Sequence, residues 1–318
     1  MFIEKDYIDA DRKIVEQGVD ILSSAKDAVV AFVVIGDPLS ATTHVGKYNY
    51  STLNHAKDLV QRAILENIPF EVINNTSIMT AAGLTGLCLY EFGRTVSIPL
   101  WDEFGEVTSF YKKIESNLKI GCHTLCLLDI KVKEQSLENL LKGNDIYEPA
   151  RFMTCETAVR QIVTISKREK TPLISDSHLA IGLARMGSSE QRMAIGTIST
   201  FYKIGQGRPT KLVTFLGRPL HSLIILGPLQ ASEMEYLMLS VTNLQSDVHQ
   251  PVFFVDSEKI SEPSDKLTIE RIMMDHNSKC KEIVDEMNEK IECPEKLEVE
   301  EEKDECVAGN PTYVPRIL

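Results

Sequence analysis

Two short polar stretches stand where chemistry is possible, and each follows an apolar run. The first is Gly36-Asp-Pro-Leu-Ser-Ala-Thr-Thr-His44. Gly36 allows close backbone approach, Asp37 can accept from a hydroxyl or ammonium group, and Ser40 and the two threonines add hydroxyls. The second is Asn75-Thr-Ser-Ile78, which precedes a helical pattern, so its free N–H groups and the Ser77 hydroxyl can hold a carboxylate. Together they suit a zwitterionic, ribose-bearing ligand. The same residues also read as ordinary turn chemistry, with Asp37-Pro38 as a turn and Ser77 as an N-cap.

Other reaction types find less support. Neither GxxxxGK[ST] nor a strand-borne GxGxxG occurs, which argues against ATP-dependent and dehydrogenase chemistry. The GxSxG elbow of a serine hydrolase is also absent. Cys122, His123 and Cys126 are close in sequence, but strand alternation points the cysteines to one face and the histidine to the other. Cys280, Cys293 and Cys306 recur at even spacing in a charged region without a CxxC pair, so no metal site is expected from either group.

The elements that must position the polar loops follow from periodicity. Val15, Val19 and Leu22 give a helical stripe from about Asp11. Ala28 to Ile35 is an unbroken apolar run that reads as a strand buried on both faces, implying parallel α/β architecture. A helix is expected from Asp58 to Glu66 and a strand from Pro69 to Ile73. A further helix should begin near Ser77 with Ile78, Ala82, Thr85 and Leu89 on one face. Further strands are expected at Thr95 to Leu100, Thr124 to Ile130, Leu179 to Ala184 and Ser222 to Leu226. Ala158, Ile162 and Ile165 mark a helix between them, and Ser232 with Glu235 suggests a capping box before another.

With 318 residues, two domains are the natural expectation. We place an N-terminal α/β domain at 1–94, a C-terminal α/β domain at 95–245 and an acidic, solvated tail at 246–318, where Glu300-Glu-Glu302 sits in a mostly acidic run. The net charge of -12 argues against nucleic acid as a partner. No run is apolar for long enough to span a bilayer, and the seven scattered cysteines suit a reducing, cytoplasmic setting.

Six ordered blocks carry a resemblance: Gly36 to His44, Asn75 to Met79, Gly121 to Glu134, Tyr147 to Met153, Gly182 to Gly187 and Pro219 to Ile224. From about Ala10 to Leu239 the chain resembles the diphthine synthase family, also called diphthine methyl ester synthases, within the tetrapyrrole methylase superfamily. The resemblance implies two α/β domains with S-adenosylmethionine (SAM) folded between them, and a homodimer. It implies SAM contacts from Asp37, Ser40, Ser77, Ile78, Leu128, Met186 and His221, several of them through backbone. Leu128 and Met186 also read as plain packing residues, and His221 as a packed histidine.

The implied reaction is methylation of the 3-amino-3-carboxypropyl group on a histidine of elongation factor 2, giving diphthine methyl ester. No residue is assigned as catalytic base. Lys131, Lys133 and Arg151 read as solvated strand-end charges or as contacts for the protein substrate. Relative to the family pattern, the N-terminal strand and its glycine-rich turn are expected to be missing, and Val45 to Lys57 and a stretch within Tyr202 to Leu216 read as insertions. Alternative readings are a corrin or porphyrin methylase of the same superfamily and a truncated, non-catalytic binding protein.

Overall fold

The computed structural model describes residues 19–34, 36–40, 55–101, 105–132, 135–144, 146–204, 216–242, 252–254 and 266–292. Eight strands lie among them: β1 Val96–Ile98, β2 Thr124–Leu128, β3 Ile130–Lys131, β4 Arg151–Phe152, β5 Leu179–Ala184, β6 Arg192–Thr197, β7 His221–Ile225 and β8 Val252–Phe254. The helices are α1 Val19–Ser24, α2 His55–Leu65, α3 Ile78–Ala81, α4 Ser109–Lys119, α5 Leu137–Lys142, α6 Cys155–Ser166, α7 Ile198–Ile204, α8 Ala231–Thr242 and α9 Lys266–Glu292.

Six strands form one sheet in the order β1-β2-β7-β5-β6-β8, and β3 pairs with β4 in a separate antiparallel ribbon. Pairing is mixed. The outer pairs β1/β2 and β6/β8 are parallel, while β2/β7, β7/β5 and β5/β6 are antiparallel. Helices cover both faces. Alternate residues of β5 divide between the two layers, with Ala180 and Ala184 facing a cluster that includes α4, α6 and α7. Leu179, Ile181 and Leu183 face a second cluster with Leu237 of α8 and Ile269 and Met273 of α9. Gly182 leaves room for this packing, since a Cβ there would come within 2.8 Å of Leu216 Cδ1 and 3.1 Å of Phe201 Cε1.

The N-terminal segments depart from the sequence expectations. Residues 28–34 are not a buried strand: they form no ladder, and Val29 and Val33 are 98% and 83% exposed. Residues 69–73 likewise form no strand, with Ile73 77% exposed. A strand requires a neighbour for its N–H and C=O groups, and among the described residues neither segment has one. A small satellite core of Leu22, Leu59, Ala63 and Ile68 joins α1 to α2 instead.

The helix expected from Ser77 is short. After α3 the chain tightens into a 3-10 turn, Ala82–Thr85, and stops at Gly86 with φ 84. Tyr236 stands so close that a Cβ on Gly86 would meet its ring at 1.8 Å.

The expected tail beyond 245 also needs correction. β8 joins the sheet and the 27-residue α9 packs against α4 and α8. Its buried stripe is Ile269, Met273, His276 and Cys280, spaced four, three and four residues apart on one helical face. Residues 11–18, 35, 41–54, 205–215, 243–251, 255–265 and 293–318 lie outside the described set. With them lie the start of the first expected helix, most of both insertions and the acidic run.

If α9 is part of the core, truncating Met273 should destabilise the protein by roughly 2–5 kcal/mol. Met274, 54% exposed beside it, should tolerate alanine within about 0.5 kcal/mol. Urea unfolding of M273A and M274A checks this; equal, small effects would show that the helix adds nothing to the core.

Candidate functional site

Asp37 joins the two polar loops. Its Oδ1 accepts from the Leu39 N–H at 2.9 Å, and its Oδ2 accepts from the Asn75 N–H at 3.0 Å and from Asn74 Nδ2 at 3.3 Å. The carboxylate is buried and ionised. The Asn75 amide, then the Leu39 amide, hold its pKa below the usual carboxylate range. Gly36 has φ 90, and a Cβ there would lie 3.6 Å from the Thr76 carbonyl, so the second loop passes close to this position. The two polar loops are therefore tied to each other. The turn chemistry is present too, because the Leu39 contact and the Ser40 N–H bond to the Asp37 carbonyl at 3.4 Å close a local turn.

Ser77 is buried immediately before α3. Its N–H donates to Thr80 Oγ1 at 3.3 Å, and that hydroxyl donates back to the Ser77 carbonyl at 2.9 Å. The next residue, Ile78, packs against the second core cluster, as does Met186. Asp37 and Asn75 thus tether the 36–40 loop to a segment that sits on the sheet.

The other three expected contacts meet at one edge of that sheet. Ile98 is opposite Leu128, Leu127 is opposite Ser222, and Leu183 is opposite Ser222 on the other side. Ala184 is opposite His221, so Leu128, His221 and Ala184 form the last row, with Arg185 and Met186 directly beyond. Asp129, which sequence reasoning did not single out, fixes this edge. Its Oδ2 accepts from the Leu100 N–H at 2.9 Å, its N–H donates to the Ile98 carbonyl at 3.2 Å, and its carbonyl accepts from the Met153 N–H at 2.9 Å. The signal was a carboxylate directly after a buried strand.

His221 is held at both ring nitrogens. Nδ1 accepts from the Cys155 N–H at 3.4 Å and Nε2 donates to the Gly217 carbonyl at 3.1 Å. Burial pushes its pKa down. The imidazole is a neutral strut between α6 and the loop before β7.

Three more histidines occupy the opposite end of the sheet. His123 is fully buried; its Nδ1 accepts from the Gly227 N–H at 2.8 Å and its Nε2 lies 3.2 Å from Glu233 Oε1. Glu233 also accepts from the Cys88 N–H and the Gln230 N–H, both at 2.8 Å. Burial pushes the Glu233 pKa up, but the His123, Gln230 and Cys88 bonds outweigh it and the pKa is lowered. Glu233, three residues past Gln230, is the residue that reaches back to cap α8, rather than the expected Ser232 and Glu235 pair.

His178, His276 and Cys280 cluster closely enough to suggest a metal site. Their hydrogen bonds argue otherwise. His178 Nε2 donates to the Leu226 carbonyl at 2.7 Å. His276 accepts from the Leu179 N–H at 3.2 Å and donates to the Gly227 carbonyl at 3.1 Å, leaving it no lone pair for an ion. Burial raises the Cys280 thiol to about 12.

No protein-family model matches the chain. The fold is similar to a crystal structure of diphthine synthase from Entamoeba histolytica, with TM-score 0.55 and 32% identity, covering 69% of this chain and 74% of that one. A second diphthine synthase structure shares the fold at TM-score 0.51 and 24% identity, covering 71% of each chain. The architecture is that of a tetrapyrrole-methylase-type α/β protein.

Over 244 residues the chain is 45% identical to the diphthine methyl ester synthase of Bos taurus, covering 75% of this chain and 78% of that protein. The Saccharomyces cerevisiae protein of the same name is 43% identical over 235 residues, covering 74% of this chain and 71% of its own length. The chain belongs to the diphthine methyl ester synthase family. Among the described residues, no helix is long and apolar enough to cross a membrane.

The buried imidazoles set a pH dependence. Burial lowers the His178 pKa to about 4 and pushes His276 well below its ordinary value. An unfolded histidine titrates near ~6.5, so between that pH and the folded pKa the unfolded state binds more protons. The stability is fully present above the unfolded pKa and is lost as pH falls toward 4, on the order of 3 kcal/mol for His178 alone. Urea titrations at stepped pH should show this slope, and H178N should flatten it; an unchanged slope in the variant would remove His178 as its source.

Proposed function

We propose that this chain is a SAM-dependent methyltransferase that methylates the 3-amino-3-carboxypropyl-histidine of elongation factor 2, giving diphthine methyl ester in diphthamide biosynthesis. The observation that carries the reading is the double convergence just described. Asp37 pins the 36–40 loop to the segment leading into Ser77 and Ile78, and Leu128, His221 and Met186 share one sheet edge.

The residues fit SAM as to placement. Ligands of open α/β sheets sit beyond strand ends, where backbone groups have left the ladder. Leu128 and Met186 stand at such ends, so their apolar side chains are compatible with a backbone role. SAM would supply an electrophilic methyl group on a sulfonium. The chain's contribution is to orient and to exclude water. Aligning nucleophile, methyl and sulfur is the main catalytic effect available to it. His221 acts as a strut, since both ring nitrogens are engaged.

Lys131 and Arg151 stand opposite each other on the β3/β4 ribbon, next to Asp129. The proposal includes cytoplasmic location, a homodimer, and a cofactor cleft between the parts before and after residue 95.

Transfer of labelled methyl from SAM to elongation factor 2 carrying the aminocarboxypropyl histidine should be observed. Transfer to a corrin or porphyrin and not to the protein would reverse the substrate assignment. No heat with SAM from folded protein would leave a binding protein without catalysis. D37A, which removes acceptors for three donors, should weaken SAM binding by at least roughly tenfold, with D37N intermediate because its amide oxygen still accepts. Wild-type affinity in D37A would exclude Asp37 from the site.

A further inference from the structure

Arg185 has a backbone and a side chain that ordinary packing does not account for. It lies between Ala184, the last residue of β5, and Met186, and its φ is 50, in the left-handed region that side-chain-bearing residues avoid. Such an outlier persists only where surrounding contacts hold it, and it is a pointer to function. The contacts here are specific. The Arg185 N–H donates to the Leu220 carbonyl at 2.9 Å. Its side chain is only 13% exposed; Nε donates to the Glu190 carbonyl at 3.1 Å, and one terminal nitrogen donates to the carbonyls of Leu216, at 2.7 Å, and Arg218.

One side chain thus spans two loops. The 186–191 turn carries Met186 and is closed by the Gly187 N–H on Gln191 Oε1 at 3.1 Å. The 216–220 segment leads into His221 and accepts the His221 imidazole at Gly217. A second tie runs outside the first, where Arg218 pairs with the Glu190 carboxylate. Both loops belong to the edge where the expected cofactor contacts meet, and a planar fork with several fixed donors suits three carbonyls in a way that an ammonium does not.

We propose that Arg185 is a positioning residue for the cofactor. It locks the 186–191 turn to the 216–220 segment so that the backbone groups of Met186 and His221 face one ligand. This rests on the methyltransferase reading, but the clamp itself can be measured without it.

The test uses the full chain with Arg185→Lys, which keeps the charge and loses the fork, and Arg185→Gly, which suits φ 50 and loses the side chain. In both variants, amides of residues 186–191 and 217–221 should exchange hydrogen faster than in the wild type. The KM for SAM should rise about tenfold or more, with kcat at saturating SAM changing by less than about threefold.

Wild-type exchange and wild-type KM in R185K would overturn the proposal. So would a fall in kcat with KM unchanged, or a lower R185G thermal midpoint with loop exchange unaltered. If the wild type takes no SAM while loop exchange still depends on Arg185, the cofactor reading fails and the clamp stands.

Discussion

Every backbone N–H and C=O buried inside a protein needs a partner, and in this molecule that demand falls most heavily on β5. All six of its residues are buried, with β6 on one side and β7 on the other. Within the ladder the strands satisfy one another. At the two ends of β5 they cannot, and the rest of the structure can be understood as two different solutions to that problem.

At the start of β5 the solution is sealed. Imidazoles supply what the ladder lacks, with His276 accepting from Leu179, His178 donating to Leu226 and His123 accepting from Gly227. A neutral histidine offers one donor and one acceptor, which suits isolated backbone groups of either kind. Because α9 delivers His276, and Asn277 accepts the Leu229 N–H at 2.6 Å, the C-terminal helix is bound to the sheet by polar as well as apolar contacts. At the other end of β5 the backbone turns away from the ladder into loops held by Arg185, His221 and Asp129. That end keeps polar backbone near the surface, as a ligand site requires.

The sequence revealed each of these solutions only in part. β5 and β7 were legible because unbroken aliphatic runs end at turn residues, and Asp37 and Ser77 because polar residues follow such runs. Leu128, Met186 and His221 came from the resemblance, since nothing in an apolar side chain announces a backbone contact. α9 escaped notice because His276 and Cys280 interrupt its apolar stripe, and imidazoles read as polar until their backbone partners are known. β6, Arg192–Thr197, was missed because arginine, glycine and threonine dilute its pattern. Residues 28–34 erred in the other direction. Their composition is that of a buried strand, but a strand is a property of two neighbours, and composition records only one.

The same accounting bears on proton transfer in the proposed reaction. An amine must lose a proton before it attacks a methyl group, and histidine is the usual recipient near neutral pH. Here His123, His221 and His276 each engage both ring nitrogens, and His178 stands at the sealed end of the sheet beside His276. Protonating any of them would break a bond to buried backbone or set charge where burial opposes it. These four imidazoles are therefore committed to architecture. An enzyme built this way accelerates its reaction through alignment, which explains why contacts that fix loop position, rather than titrating groups, crowd the open edge of the sheet.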